Sequence, residues 1–137
     1  MTTAFQSSTV LAGRILLGLI FILSGFGKIA GFAGTVGYIE SAHLPLPSLV
    51  AVLTIVIELG GGLALVSGFY TRQTALVLAV FTVLAGFIFH NFWDADQAQK
   101  MAQQVNFLKN LSIAGGMLVL AAFGPGTMSV DARRSMA

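Results

Sequence analysis

The chain has 137 residues, of which 56% are hydrophobic and only 9% charged, and its formal net charge is +2. Soluble domains are about 25% charged, and a fold this small buries only about two-thirds of the surface its chain exposes, so this composition excludes a water-soluble globule and calls for lipid as solvent. The few Lys and Arg are scattered rather than gathered in a basic stripe, which excludes nucleic-acid binding, and the lack of Cys excludes disulfides, thiolate catalysis, iron–sulfur ligation and covalent haem.

A membrane-spanning helix needs roughly 20 mostly apolar residues. The first such run covers about 9–29. The residues before it lack the basic stretch that opens a secretory signal, so none is expected there. A long loop, 30–47, follows; Gly31, Gly34 and Gly37 make it flexible or re-entrant in expectation. Pro45 and Pro47 introduce the second run, 48–67. A tight turn from Gly68 to Arg72 leads to the third, 73–93, with Phe92 and Trp93 as interface anchors. The polar stretch 94–104 is expected to lie at the surface, and the fourth run, 105–124, stops at Gly124-Pro125-Gly126. None of these runs alternates as barrel strands do. The expected fold is therefore all-α: a single transmembrane domain over 1–137, built as a four-helix bundle. Loop cations place Arg72, Arg133 and Arg134 on one side and Lys28 and Lys100 on the other, which favours cytoplasmic termini.

Ionisable residues inside the apolar runs are the informative ones, because each costs about 2.5–3.5 kcal/mol at the bilayer centre and needs a partner or a role. Glu58 lies near the middle of the second run, Arg14 in the first, His90 near the end of the third and Lys109 in the fourth. Arg14, Gly18, Phe21, Gly25 and Lys28 share one helical face, as do Glu58, Gly61, Leu65, Gly68 and Arg72. Small residues beside the charges allow close helix approach. Glu58 and Arg14 are expected either to pair structurally or to serve a ligand. Lys28 is expected to snorkel to the interface, Arg72 to set topology, and His43 to lie in a loop. The two His and one buried carboxylate form no recognisable metal set, so no metal is expected. Cations in excess of anions suit an anion, or a neutral apolar molecule with carbonyl oxygens; a quinone has that chemistry.

These residues also carry a resemblance. Gly13 to Gly18 (GRILLG), Phe21 to Lys28 (FILSGFGK), Glu58 to Gly62 (ELGGG) with Gly68 and Arg72, His90 to Trp93 (HNFW), Gln103 with Asn106 to Leu111 (NFLKNL), and Gly124-Pro125-Gly126 with Ser129 and Asp131 together resemble the DoxX family over nearly the whole chain. The resemblance implies a four-helix bacterial inner-membrane protein with links to respiratory or sulfur redox chemistry, since the family takes its name from a membrane subunit of a thiosulfate–quinone oxidoreductase.

The expected function is a quinone- or anion-binding subunit of a membrane oxidoreductase assembly, with a quinone as the possible cofactor and partner subunits or further copies of the chain around it. The candidate ligand-binding residues are Arg14, Glu58, His90, Lys109 and Asn110; the candidates for catalytic proton transfer are Glu58 and His90. A small-molecule or ion transporter and an assembly module without chemistry of its own are the alternatives. The absence of broken helices or an inverted repeat counts against a standard transporter.

Overall fold

A computed structural model describes residues 3–136. Six helices follow in chain order: α1 Ala4–Ala30, α2 Phe32–Ser41, α3 Pro47–Ser67, α4 Thr71–Phe89, α5 Gln97–Phe123 and α6 Val130–Arg134. Among the described residues there is no strand, and α1, α3, α4 and α5 are each long and apolar enough to span a membrane. The protein is an all-α membrane bundle whose apolar side chains, Leu16, Leu23, Val56 and Val80 among them, point outward to lipid.

Local chemistry sets the ends of these helices. Thr3 and Gln6 form a capping box, with backbone and side chain exchanging hydrogen bonds, so α1 starts ahead of its apolar run. Pro47 opens α3, where its missing N–H costs nothing. Gly68 turns left-handed (φ 71°) to close α3. Three expectations need correction. The first loop is not an irregular strip: α2 fills much of it, and Ile39, 3% exposed, anchors that helix to the bundle. The third spanning helix ends at Phe89, so Trp93 lies beyond it, packed on Phe87, Phe92 and Phe107. The polar segment 94–104 is not a separate surface piece, because α5 begins at Gln97 and runs unbroken through it. Its Gln, Lys, Met and Ala residues favour helix, so the spanning helix propagates beyond the bilayer.

Packing is dominated by two pairs, α1 with α3 and α4 with α5. The first pair closes on glycine: a Cβ on Gly18 would meet the Gly62 carbonyl oxygen at 2.8 Å, and one on Gly62 would meet the Gly18 carbonyl oxygen at 2.9 Å. Gly61, one residue earlier, faces Leu78 of α4, so adjacent glycines on α3 serve two neighbours. The buried centre, formed by Phe21, Leu65, Leu78, Ala114 and Met117, joins the pairs. Because α1 and α4 run one way and α3 and α5 the other, both termini, the α3–α4 turn and α6 gather at one end of the bundle.

Candidate functional site

At the termini end, Arg14 is 0% exposed and its Nη2 donates to the Met128 carbonyl oxygen; its Nε and Nη1 have no partner among the described residues. Gly68 is required beside it, since a Cβ there would sit 1.7 Å from Arg14 Nη1. The C-terminal segment caps this end. Asp131 accepts hydrogen bonds from Tyr70 N, Thr71 N and Thr71 Oγ1, each 2.8 Å, at the start of α4. Burial pushes the Asp131 carboxyl up, but the Thr71 and Tyr70 donors and the Arg134 charge outweigh it and hold it below the ordinary value of 3.8. Arg72, expected only to set topology, donates to the final carbonyls of α5 at Ala121 and Ala122.

Toward the opposite end the bundle encloses a part-open cavity of about 240 Å³. Glu58, 6% exposed, lies in its wall. Its partner is not Arg14 but Lys28, whose Nζ lies 2.9 and 3.0 Å from the two carboxylate oxygens and also donates to Ser24. Lys28 therefore does not simply snorkel outward. On α1 it lies fourteen residues beyond Arg14, and that height along the helix decides which cation reaches Glu58.

Asn110 and His90 line the same cavity. Asn110 Nδ2 donates to the Thr82 carbonyl oxygen at 3.1 Å, and His90 Nδ1 lies 2.9 Å from Gln103 Oε1. That contact holds the His90 ring against α5. Thr82 also lines the cavity, while its Oγ1 is buried with no partner among the described residues. Phe21, Phe81 and Phe89 supply aromatic wall, and α2 closes one side, with Tyr38 stacked on Phe89 at 5.2 Å. His43 lies exposed in the α2–α3 connection.

Glu58, His90 and Asn110 thus come together, while Arg14 and Lys109 do not line this cavity. Arg14 belongs to the capped end. Lys109 is exposed on α5, beside a second, more open hollow that also touches His90 and Asn110. Sequence reasoning missed Thr82 and the role of Lys28. Both carried a signal: Thr82, Gly86 and His90 recur at four-residue spacing on α4, and Ser24 and Lys28 do so on α1. Among the described residues no cluster of three or more His, Cys, Asp or Glu is placed to hold a metal ion.

The DoxX family model matches residues 9–91, which span α1, α2, α3 and α4 and include Lys28, Glu58 and His90. The chain belongs to the DoxX family. The inner membrane protein YqjF of Escherichia coli (strain K12) is 46% identical over 125 residues, covering 89% of this chain and 88% of the relative. The inner membrane protein YphA of the same organism is 41% identical over 124 residues, covering 90% and 89%. A Bacillus subtilis (strain 168) protein named "Putative oxidoreductase CatD" is 34% identical over 80 residues, 58% of each chain. No solved structure matches. The DoxX relatives named as inner membrane proteins agree with the four spanning helices found here.

Proposed function

We propose that this DoxX protein is a quinone-binding subunit of a membrane oxidoreductase assembly. The observation that carries this reading is the cavity itself: a space of about 240 Å³, walled largely by aromatic and aliphatic side chains, with Ser24, Lys28, Glu58, His90 and Asn110 supplying the polar part of its wall. A ligand carbonyl oxygen in such a space needs a donor from this polar wall to offset its desolvation. A quinone offers an apolar ring and two such acceptors. The oxidoreductase designation of the Bacillus relative supports the same direction.

In this reading a bound quinone supplies the redox chemistry, accepting an electron and a proton at each oxygen, with the electrons delivered by a partner subunit. Asn110 Nδ2, which has a second N–H beside the one given to the Thr82 carbonyl oxygen, would donate to one ring oxygen. His90 would exchange a proton with the other, its Nδ1 contact with Gln103 fixing the ring for that exchange. Glu58, neutralised by Lys28 and bridged to Ser24, gives the polar side of the cavity a fixed dipole and a second candidate for proton transfer. The end holding Arg72, Arg133 and Arg134 faces the cytoplasm, so the cavity opens nearer the outer face.

The test is to purify the protein in mild detergent, extract it with organic solvent and quantify quinone per chain by mass spectrometry, beside an unrelated four-helix membrane protein. Near-stoichiometric quinone that falls severalfold in Asn110→Leu and His90→Ala is the expected result. Quinone no higher than in the control overturns the reading.

A further inference from the structure

The cavity has a side exit. The second hollow lies between α1 and α5, and it shares Ile20, His90, Asn110 and Ile113 with the cavity, so the two spaces adjoin. Its origin is a splay between the helices. Toward the termini end α1 and α5 touch, because Gly116 admits Leu17: a Cβ on Gly116 would be 3.3 Å from Leu17 Cδ2. One turn further on, at Ile20 and Ile113, the helices part and the hollow begins. Its outer walls are Val105, Leu108 and Ser112, which lie exposed on the lipid-facing side of α5.

We infer that the ligand of the cavity is a membrane-dissolved amphiphile, with its ring in the cavity and an apolar tail leaving through the α1–α5 crevice into lipid. The inference rests on the reading of the cavity as a ring site and adds the class of molecule and its route. Three observations carry it. The cavity is smaller than the ~300–1,000 Å³ of pockets that enclose drug-sized ligands, so it takes a ring but not a long chain. The crevice has an aliphatic side formed by Ile20, Val105, Leu108 and Ile113, and Val105 and Leu108 lie exposed within a helix apolar enough to span a membrane. Lys109 and Asn106 stand at its lip, where they offer donors to ring oxygens on the way in.

The experiment uses the full chain in lipid nanodiscs with two probes, decylubiquinone and its tail-less parent dimethoxymethylbenzoquinone. Ser112→Trp, and separately Leu108→Trp, narrows the crevice without touching the cavity wall. Each variant is expected to weaken decylubiquinone at least about tenfold while the tail-less quinone changes less than about twofold. A diazirine at the end of the decyl tail is expected to crosslink to residues 105–113 of α5 or to α1 near Ile20. Equal effects on both probes, no effect on either, or crosslinks confined to α2 and α3 overturn the tail route while leaving the ring site standing. Binding of neither probe to the unsubstituted protein overturns both.

Discussion

At the scale of single residues, the Lys28–Glu58 pair explains how a carboxylate sits in the wall of an apolar bundle. Both carboxylate oxygens are within 3.0 Å of the ammonium, and Ser24 bridges the two side chains. Such a pair is costly to break from one side because the survivor is left charged and unpartnered. Glu58→Gln or Lys28→Met alone is expected to lower stability by about 2–4 kcal/mol, less than for a fully enclosed pair because the Lys28 side chain keeps 27% exposure. Lys28→Met combined with Glu58→Gln should cost clearly less than the sum. A double-mutant cycle on the SDS-unfolding midpoint checks this, and strictly additive effects would show that the two charges do not stabilise one another. Arg14 follows a different logic: it is enclosed by the chain's own C-terminal segment at the other end of the protein, where Met128 is its acceptor.

At the scale of elements, α4 is capped in trans. Its own N-cap residue, Tyr70, provides no side-chain acceptor, and the two first amides are satisfied by Asp131, some sixty residues later in the chain. The Asp131 amide in turn donates to the Gly68 carbonyl oxygen at 2.9 Å, so turn and tail lock reciprocally. Loss of this cap in Asp131→Ala should cost about 0.5–2 kcal/mol near neutral pH. The sign of its pH dependence follows from a carboxyl held below its ordinary 3.8: the stabilisation is complete above that value and is lost as pH falls through the lower folded-state value. The difference in unfolding midpoint between the unsubstituted protein and Asp131→Ala should therefore vanish in strong acid. A difference that persists unchanged there would mean the cap does not act through the carboxylate. The Ser129 and Asp131 positions were legible as part of a family-like ending; their role was not, because nothing local to 124–134 says which helix start they will meet.

At the scale of the whole molecule, the relative height of the helices decides where the charges fall. The α1–α3 pair is set by backbone contact at Gly18 and Gly62, with Gly25 admitting Leu59 further along. In lipid there is little hydrophobic drive between helices, so such close packing carries much of the association. Gly62→Val would press on the Gly18 carbonyl and on Ile22 and is expected to cost about 1–3 kcal/mol by forcing the pair apart. Because the same seam holds Lys28 level with Glu58, quinone retention should fall with it. A Gly62→Val protein with unchanged SDS-unfolding midpoint would remove the seam from this account.

Four apolar runs, the scarcity of charge and the punctuation by Pro45, Pro47, Gly68 and Gly124 were enough to establish an all-α membrane bundle, because hydropathy and turn chemistry are local properties of the chain. The helical faces bearing Arg14, Lys28, Glu58 and His90 were equally readable, since periodicity reports which way a side chain faces around its own axis. Periodicity says nothing about the rotation of one helix against another or the depth at which they meet. Those were decided only in the tertiary structure, through glycine contacts such as Gly18 on Gly62 and through the splay of α1 from α5. That is why Glu58 pairs with Lys28 and not Arg14, why His90 and Asn110 share its cavity while Lys109 stands at the rim, and why Thr82 emerged as a site residue only once four helices and the small α2 had closed around it.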